Sequence, residues 1–313
     1  MNATTDNLLS QLRQKGLDGR VVPVRHLQDL RHKIEGQYAQ GLLSEEFYRE
    51  RLQFYRFDDV ERFPVAKSII VMAMPRPQTP VNFVFHRKSI TLTLPPTYAG
   101  YNAITRQMGE ILAALLAPHG YHIAPTLLPL KLLAACSGLA EYGRNNVCYI
   151  PGMGSFFQLA AYYSDLPCPE SMLKDPWTSP RLMKRCETCR ACLIQCPTQA
   201  ISEDRILLHA DRCISFHNER FSTSPFPAWI DPHSHNSLMG CMLCQRYCPE
   251  DKPFIGWFEA SVDFSEDETR LLLEGAARDQ LSAETVAKLE RLELIGDLDK
   301  FPRNLSVLIT RIG

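Results

Sequence analysis

The twelve residues 186–197 read CETCRACLIQCP and decide what kind of module this chain contains. Three cysteines spaced C-x-x-C-x-x-C can ligate three corners of an iron–sulfur cube, and a fourth that precedes a proline is typical of a ligand to a different cluster. A second stretch, CMLCQRYCP at 241–249, repeats the pattern with one cysteine fewer, and Cys213 lies between the two stretches. The sequence therefore predicts two [4Fe-4S] clusters.

Counting along the chain assigns four cysteines to each cluster, with the last cysteine of each stretch crossing to the other cluster. The first set is Cys186, Cys189, Cys192 and Cys248, and the second set is Cys196, Cys213, Cys241 and Cys244. A pair of zinc sites would need C-x-x-C pairs but neither the triple nor the two Cys-Pro dipeptides, so iron–sulfur clusters are favoured. Among the other cysteines, Cys136 and Cys148 are predicted to be core residues and Cys168 a linker thiol.

The composition is that of a folded protein from a reducing compartment. With 313 residues, 45% of them hydrophobic, the chain can bury the core of one large or two smaller domains. Its 34 basic and 35 acidic side chains give no overall positive charge, so tRNA is not expected as a partner. The sequence shows no leader and no apolar run of about 18 residues, so we expect a cytoplasmic protein without membrane spans. Reducing conditions favour metal ligation over disulfides for the eleven cysteines.

Hydrophobic periodicity predicts helices at both ends of the chain and strands between them. Residues 66–77, AKSIIVMAMPRP, form a continuous apolar run typical of a buried central strand, and residues 81–94 alternate as a hairpin does. Four prolines within residues 167–180 indicate a domain boundary. We therefore predict an N-terminal helical layer (1–60), an α/β domain (61–178), a two-cluster module (179–258) and C-terminal helices (259–313).

The order of several segments resembles one known superfamily. AKSIIVMAMP is followed by YAGY at 98–101, SGLAEYGRNN at 137–146, GSFFQLAAYYSDLP at 154–167 and the cysteine stretches. This order is similar to that of epoxyqueuosine reductases and, more distantly, reductive dehalogenases. The resemblance implies an α+β fold in which a nitroreductase-like α/β domain binds cobalamin, a ferredoxin-like module with two clusters delivers electrons to it, and the C-terminal helices pack back on the core.

The same resemblance implies that two loops line the corrin. The residues concerned are Tyr98, Tyr101, Gly143, Arg144, Asn145, Gly154 and Ser155. The glycines would allow the backbone close approach, and Arg144 or Asn145 would meet the amide-bearing rim. For the two tyrosines, which would flank the upper face, the alternative is a structural turn with two packed rings.

One position departs from the epoxyqueuosine reductase pattern. Those enzymes carry a catalytic aspartate as proton donor in a register that falls on Ala124 here, and no acid lies between Glu110 and Glu141. The queuosine reaction is therefore not expected unless another group donates the proton. The candidates are His122, Glu141, Tyr142 and His235, of which His122 is in phase with Ala124 on the predicted strand.

The expected function is that of a cobalamin-dependent reductase that receives electrons from an external ferredoxin or flavodoxin. The two clusters would pass these electrons singly to cobalt, which would reduce a small organic substrate. One alternative is a non-catalytic electron-transfer protein without a corrin. Another is an epoxyqueuosine reductase whose proton donor has moved to a different residue.

Overall fold

The computed structural model describes residues 3–58, 63–168, 177–220 and 225–310, with side chains from residue 5 onward. Its α-helices are α1 (Ala3–Gln14), α2 (Leu27–Ala39), α3 (Glu45–Arg51), α4 (Tyr101–Leu116), α5 (Leu130–Cys136), α6 (Ala191–Gln195), α7 (Ile214–Asn218), α8 (Leu243–Arg246), α9 (Glu266–Glu274), α10 (Ala283–Leu292) and α11 (Phe301–Ile309). Its strands are β1 (Asp18–Pro23), β2 (Ser68–Pro75), β3 (Thr79–Phe85), β4 (Lys88–Leu94), β5 (Ile123–Pro125), β6 (Glu141–Tyr142), β7 (Cys148–Tyr149), β8 (Phe157–Ser164) and β9 (Val262–Phe264).

The chain divides into two compact units, each assembled from separate segments. The first unit comprises Met1–Pro75, Ala103–Cys189 and Glu203–Leu208. The second comprises Arg76–Asn102, Arg190–Ser202 and His209–Gly313. Neighbouring stretches of sequence therefore belong to different units. A division of the chain into consecutive domains does not describe this arrangement.

The first unit is built around an antiparallel sheet in the order β1-β2-β8-β5. Successive side chains of a strand point to opposite faces, so Ile69, Val71 and Ala73 of β2 pack in one cluster with α2 and α5. Ile70 and Met72 pack in another cluster with α1 and α4. Because helices cover both faces, β2 is apolar without alternation, and the predicted buried central strand is confirmed.

The second unit contains a three-stranded sheet in the order β4-β3-β9. Strands β3 and β4 form the predicted hairpin, whose two-residue turn places His86 and Arg87 at φ values of 48° and 62°. Strand β9 joins β3 in parallel. Helices α9, α10 and α11 contribute Leu272, Leu289 and Leu305 to the hydrophobic cluster that also contains Phe83.

The sequence does not predict β1, which lies in the stretch expected to be helical, or β9, which has only three residues. At Gly19 of β1 an added Cβ would lie 2.9 Å from the carbonyl oxygen of Val71, so the strands approach closely at this point. Most of the proline-rich segment, residues 169–176, lies outside the described residues. The boundary placed there, and the four predicted domains, stay predictions.

None of the helices in the described part of the chain is long and apolar enough to cross a bilayer. The cytoplasmic location stays a prediction.

Candidate metal centre

Short helices of the second unit carry or flank the cysteines of the predicted second cluster. Helices α6 and α8 are in contact with each other. Cys196 directly follows α6, Cys244 lies within α8, and Cys213 is the residue before α7. The fourth member, Cys241, precedes α8 by two residues. The fold thus brings together two sequence motifs that are far apart along the chain.

The electrostatics of the four thiols show that they are neighbours. Burial first, and then the neighbouring Cys241 and Cys196, raise the pKa of Cys213 to about 11. Burial also raises the pKa of Cys244 well above its usual value, with further contributions from Cys241, Cys213, Cys196 and also Cys192, which the sequence assigns to the first cluster. The four half-buried cysteines include three thiols whose pKa values are raised, Cys213, Cys241 and Cys244, and they suit a site where bound iron stabilises the thiolates. The chemistry of this donor set fits a [4Fe-4S] cluster.

No three His, Cys, Asp or Glu side chains converge closely enough to hold a single metal ion, as far as the described residues extend. The ligands of a cubane bind separate irons and stand farther apart than those of one ion.

A side chain that no motif marks contacts this donor set. The Nδ2 of Asn236 donates a hydrogen bond to the Sγ of Cys241, at 3.1 Å. Burial raises the pKa of Cys241, and the hydrogen bond from Asn236 opposes that rise. An asparagine in a loop carries no sequence signal for such a contact, because only the folded loop brings the two residues together.

The start of the first cysteine motif is fixed to strand β6. The backbone N–H of Tyr142 donates to the carbonyl of Arg181 at 2.9 Å, and the N–H of Met183 donates to the carbonyl of Tyr142 at 2.8 Å. Cys186 is buried in the short 3-10 helix that follows. The buried guanidinium of Arg144 donates to the carbonyl oxygen of Cys186, at 2.8 Å. The hairpin loop thus holds the backbone of a predicted ligand.

The predicted corrin residues of the first unit are engaged within their own loop. An added Cβ on Gly143 would lie 2.5 Å from Asn145 Oδ1 and 2.6 Å from the ring of Tyr149. The amide of Asn145 donates to the hydroxyl of Tyr149 at 2.9 Å. Gly154 has a φ of 56° and closes a turn, and Ser155 is buried.

These contacts do not themselves point to a corrin. The space beside Gly143 is filled by protein, and two guanidinium nitrogens of Arg144 bind the backbone carbonyls of Cys186 and Glu203. The assignment of the loop to a corrin stays a prediction.

Tyr98 and Tyr101 belong to the second unit. The hydroxyl of Tyr98 donates to the carboxylate of Glu219. Its ring lies so close to Gly240 that an added Cβ there would be 2.7 Å away. Burial, followed by the charge of Glu219, raises the pKa of Tyr98 well above its usual value. Tyr101 begins α4 and is exposed.

The predicted proton donors have four different environments. His122 is 74% exposed, and its Nδ1 lies 3.1 Å from the carboxylate of Asp165. Glu141 is exposed, whereas Tyr142 is buried, and burial raises the pKa of Tyr142 well above its usual value. His235 is buried, with Nδ1 3.2 Å from the side-chain oxygen of Asn218.

The side chain at position 124 packs against the hydrophobic core. Ala124 lies on β5 and packs against the hydrophobic cluster of α2, α5 and the sheet. The three remaining cysteines are buried: Cys136 and Cys148 are core residues as predicted, and burial raises their pKa values to about 11 and about 12. Cys168, expected to be a linker thiol, is instead buried, with its Sγ 3.4 Å from the carbonyl of Val21.

The cysteine region and the overall fold both match known proteins. Residues 185–251 match the family model described as a 4Fe-4S double cluster binding domain, which confirms the predicted two-cluster module. An epoxyqueuosine reductase from Xanthomonas campestris pv. campestris is 32% identical over 149 residues, which are 47% of this chain and 39% of that protein. The chain therefore spans well under half the length of this curated relative.

Two solved structures share the fold over nearly the whole chain. Epoxyqueuosine reductase from Streptococcus thermophilus superposes with a TM-score of 0.69 at 18% identity, covering 100% of this chain and 82% of that one. An epoxyqueuosine reductase solved with an epoxyqueuosine-modified stem loop of tRNA-Tyr gives a TM-score of 0.67 at 21% identity, covering 97% and 80%.

The chain is thus a two-cluster iron–sulfur protein of mixed α and β structure with helices at its C-terminus. Its fold is that of the epoxyqueuosine reductases, and the resemblance and the fold class predicted from the sequence are confirmed.

The expectation that tRNA is not a partner is wrong. It rested on the balanced charge of the chain, whereas a protein of this fold has been solved with a tRNA stem loop. Net charge does not report on a local surface, so a nearly neutral protein can still present a site for nucleic acid.

Proposed function

We propose that this protein is an iron–sulfur reductase that converts epoxyqueuosine in tRNA to queuosine. The observation that carries the proposal is the set of four mutually close, half-buried cysteines in a double-cluster domain, on a fold shared with epoxyqueuosine reductases. Removal of the epoxide oxygen as water consumes two electrons and two protons. The two clusters supply the electrons one at a time, from an external ferredoxin or flavodoxin.

Cobalamin is part of this proposal through the resemblance alone. When bound, it supplies a cobalt centre that accepts single electrons and acts as a strong nucleophile. Protein atoms lie beside Gly143, and the side chains of Arg144 and Asn145 form hydrogen bonds within the protein, so these contacts add no support for the corrin beyond the resemblance. The roles proposed for this protein are therefore those of its clusters and its own side chains.

The proton for the departing oxygen needs a donor other than position 124. We assign this role to His122, because its imidazole is exposed and paired with Asp165. Burial acts to raise the pKa of Asp165, but hydrogen bonds from the backbone and imidazole of His122 outweigh it, so the pKa is lowered. The carboxylate therefore stays ionised and orients the imidazole through the contact between Asp165 and the Nδ1 of His122.

An anaerobic turnover assay tests the proposal. Reconstituted protein with about eight irons and eight sulfides per chain, supplied with cobalamin and a low-potential reductant, is expected to convert an epoxyqueuosine-modified stem loop to queuosine. The His122→Ala variant should lose at least about tenfold in rate, since general acid catalysis contributes 10²–10⁴-fold. The matched control is His119→Ala, which removes another exposed histidine of the same unit and should retain the rate.

A non-catalytic electron-transfer protein is the second candidate, and the packing of Ala124 favours it. A methyl group in a hydrophobic cluster cannot transfer a proton. Full cluster content with reversible reduction, no corrin absorption after incubation with cobalamin, and no turnover would establish this second candidate. Stoichiometric zinc without sulfide would contradict both.

A further inference from the structure

The loop that precedes the second cysteine motif aims one amide at a predicted cluster ligand. Asn236 Nδ2 lies 3.1 Å from Cys241 Sγ, within hydrogen-bonding distance for a sulfur acceptor. We propose that this hydrogen bond raises the reduction potential of the second cluster, a role that rests on the ligand set of the proposed function. Asn236 is then a positioning and tuning residue and takes no part in the chemistry at the substrate.

The contacts of the amide fix which of its atoms faces the sulfur. The backbone N–H of Met242 can only donate, and it lies 3.1 Å from Asn236 Oδ1. The carbonyl oxygen of Ser234 can only accept, and it lies 3.2 Å from Nδ2. Both partners therefore require the same orientation, in which Nδ2 carries its second proton toward Cys241.

The residues around Asn236 are held in place by their own hydrogen bonds. Ser237 is buried and donates to the carbonyl oxygen of Thr93 at 2.7 Å. The buried amide of Asn218 donates to the carbonyls of Ser237 and Gly240, at 3.3 Å and 2.9 Å. Asn236 thus lies beside a rigid segment, so its amide is oriented before a cluster binds.

A donor at this position changes the energy of reduction in a definite direction. Reduction adds negative charge to the cluster and its thiolates, and an N–H that points at sulfur stabilises the reduced state more than the oxidised state. The effect is larger where water is excluded. By comparison, the hydroxyl of Thr198 lies 3.7 Å from Cys196 Sγ, a longer contact to the same ligand set.

The Asn236→Asp variant replaces the donor but adds a negative charge, so the neutral Asn236→Leu variant is the one that isolates the lost hydrogen bond. The aspartate keeps an oxygen for the N–H of Met242 but places an oxygen instead of a donor beside Cys241. Asn236→Leu removes both functions at similar size. The control is Asn82→Ala, since Asn82 is in the same unit and binds Asp263 and Thr91 on the surface.

An anaerobic redox titration followed by EPR measures the midpoint potential of each cluster in reconstituted protein. We expect one of the two midpoints to move to a more negative potential in both Asn236 variants, while the other midpoint and the Asn82→Ala control stay where they are. Unchanged midpoints in a variant with full iron content would overturn the proposal. If the midpoint shifts as expected in the Asn236 variants but the unsubstituted protein forms no queuosine, the proposed reaction is contradicted and the role of Asn236 is not.

If both Asn236 variants lose iron, the proposal can still be tested on the unsubstituted protein. Labelling of asparagine side chains with nitrogen-15 allows pulsed EPR to detect an amide nitrogen coupled to the reduced second cluster. Absence of that coupling in the unsubstituted protein would overturn the proposal in the same way.

Discussion

Gly143 occupies a position where even a methyl group has no room. An added Cβ would meet the side chain of Asn145 and the ring of Tyr149 at 2.5 Å and 2.6 Å, well inside contact distance. We expect Gly143→Ala to lower the free energy of unfolding by about 1–3 kcal/mol, because the loop must shift to remove the overlap. Urea denaturation measures the change.

Gly36→Ala is the matched control for that substitution. Gly36 lies inside α2 with no atom within 4 Å of an added Cβ. The replacement should stabilise the protein by up to about 1 kcal/mol through helix propensity. If both substitutions changed the free energy of unfolding equally, the close contacts around Gly143 would not be the reason that a glycine is needed there.

Single residues mark the limit of what the sequence can predict about the site. The cysteine sets follow from spacing, because ligands to a cluster must recur at intervals that a loop can wrap. Asn236 and Asp165 do not follow from any spacing: each meets its partner only after the chain has folded. The sequence shows that alanine stands at position 124, where the epoxyqueuosine reductases carry an aspartate, but it does not show that this alanine packs against the hydrophobic core.

Helix α9 depends on a network centred on one carboxylate. Glu268 accepts from the backbone N–H of Ser265 at 2.7 Å, completing a capping box, and from Thr285 and Lys288 of α10 at 2.8 Å and 2.9 Å. Burial acts to raise the pKa of Glu268, but these hydrogen bonds outweigh it and the pKa is lowered. One side chain therefore both starts a helix and joins it to its neighbour.

The lowered pKa predicts a loss of stability in acid. A group with a folded pKa below its unfolded value stabilises the protein above the unfolded pKa, about 4.3 for glutamate, and loses that contribution as pH falls through the folded pKa. Glu268→Gln should lower the free energy of unfolding by about 1 kcal/mol at neutral pH, and by less below about pH 4. Denaturation across this pH range measures it, with the exposed Glu274→Gln as control. A difference that grows in acid would contradict the assignment.

Secondary structure is predictable from the sequence where a hydrophobic pattern repeats along an element, and it is not predictable where an element forms only by pairing with a distant strand. The apolar run of β2 and the alternation of β3 and β4 extend over enough residues to be read directly. Strand β9 has only three residues and forms by parallel pairing with β3 from far along the chain, and β1 lies in a stretch whose periodicity predicts helices. The capping box of α9 was also missed, although Ser265 and Glu268 have its spacing.

The two predicted ligand sets each draw on cysteines from distant parts of the sequence, and this predicts how iron content responds to substitution. Cys213→Ser and Cys248→Ser should each remove one cluster, about half of the iron, and lower the midpoint of thermal unfolding, because metal binding contributes to folding. Cys168→Ser is the control: its thiol is buried, and burial raises its pKa to about 11.

Iron and sulfide per chain are determined for each of the three cysteine variants, and calorimetry gives the midpoint of thermal unfolding. Loss of a cluster in Cys168→Ser, with Cys213→Ser tolerated, would show that the ligand assignment is wrong.

At the scale of the whole molecule, net composition was a poor guide to partners. Balanced charge argued against tRNA, yet a charge total averages over every face and says nothing of a single surface. The distribution of the chain over two compact units was equally hidden, because each unit takes residues from separate stretches.

The parallel pairing of β9 with β3 has a consequence for the order of events during synthesis. The hairpin of β3 and β4 leaves the ribosome early, whereas its third strand, at Val262–Phe264, follows only after all eight cysteines predicted to be ligands have been made. One edge of the hairpin therefore waits through translation of the entire cysteine region, a process that proceeds at about 5–20 residues per second. During that interval the nascent chain presents reduced thiols together with an unpaired strand edge, so the cell must deliver iron and prevent aggregation at the same stage of synthesis.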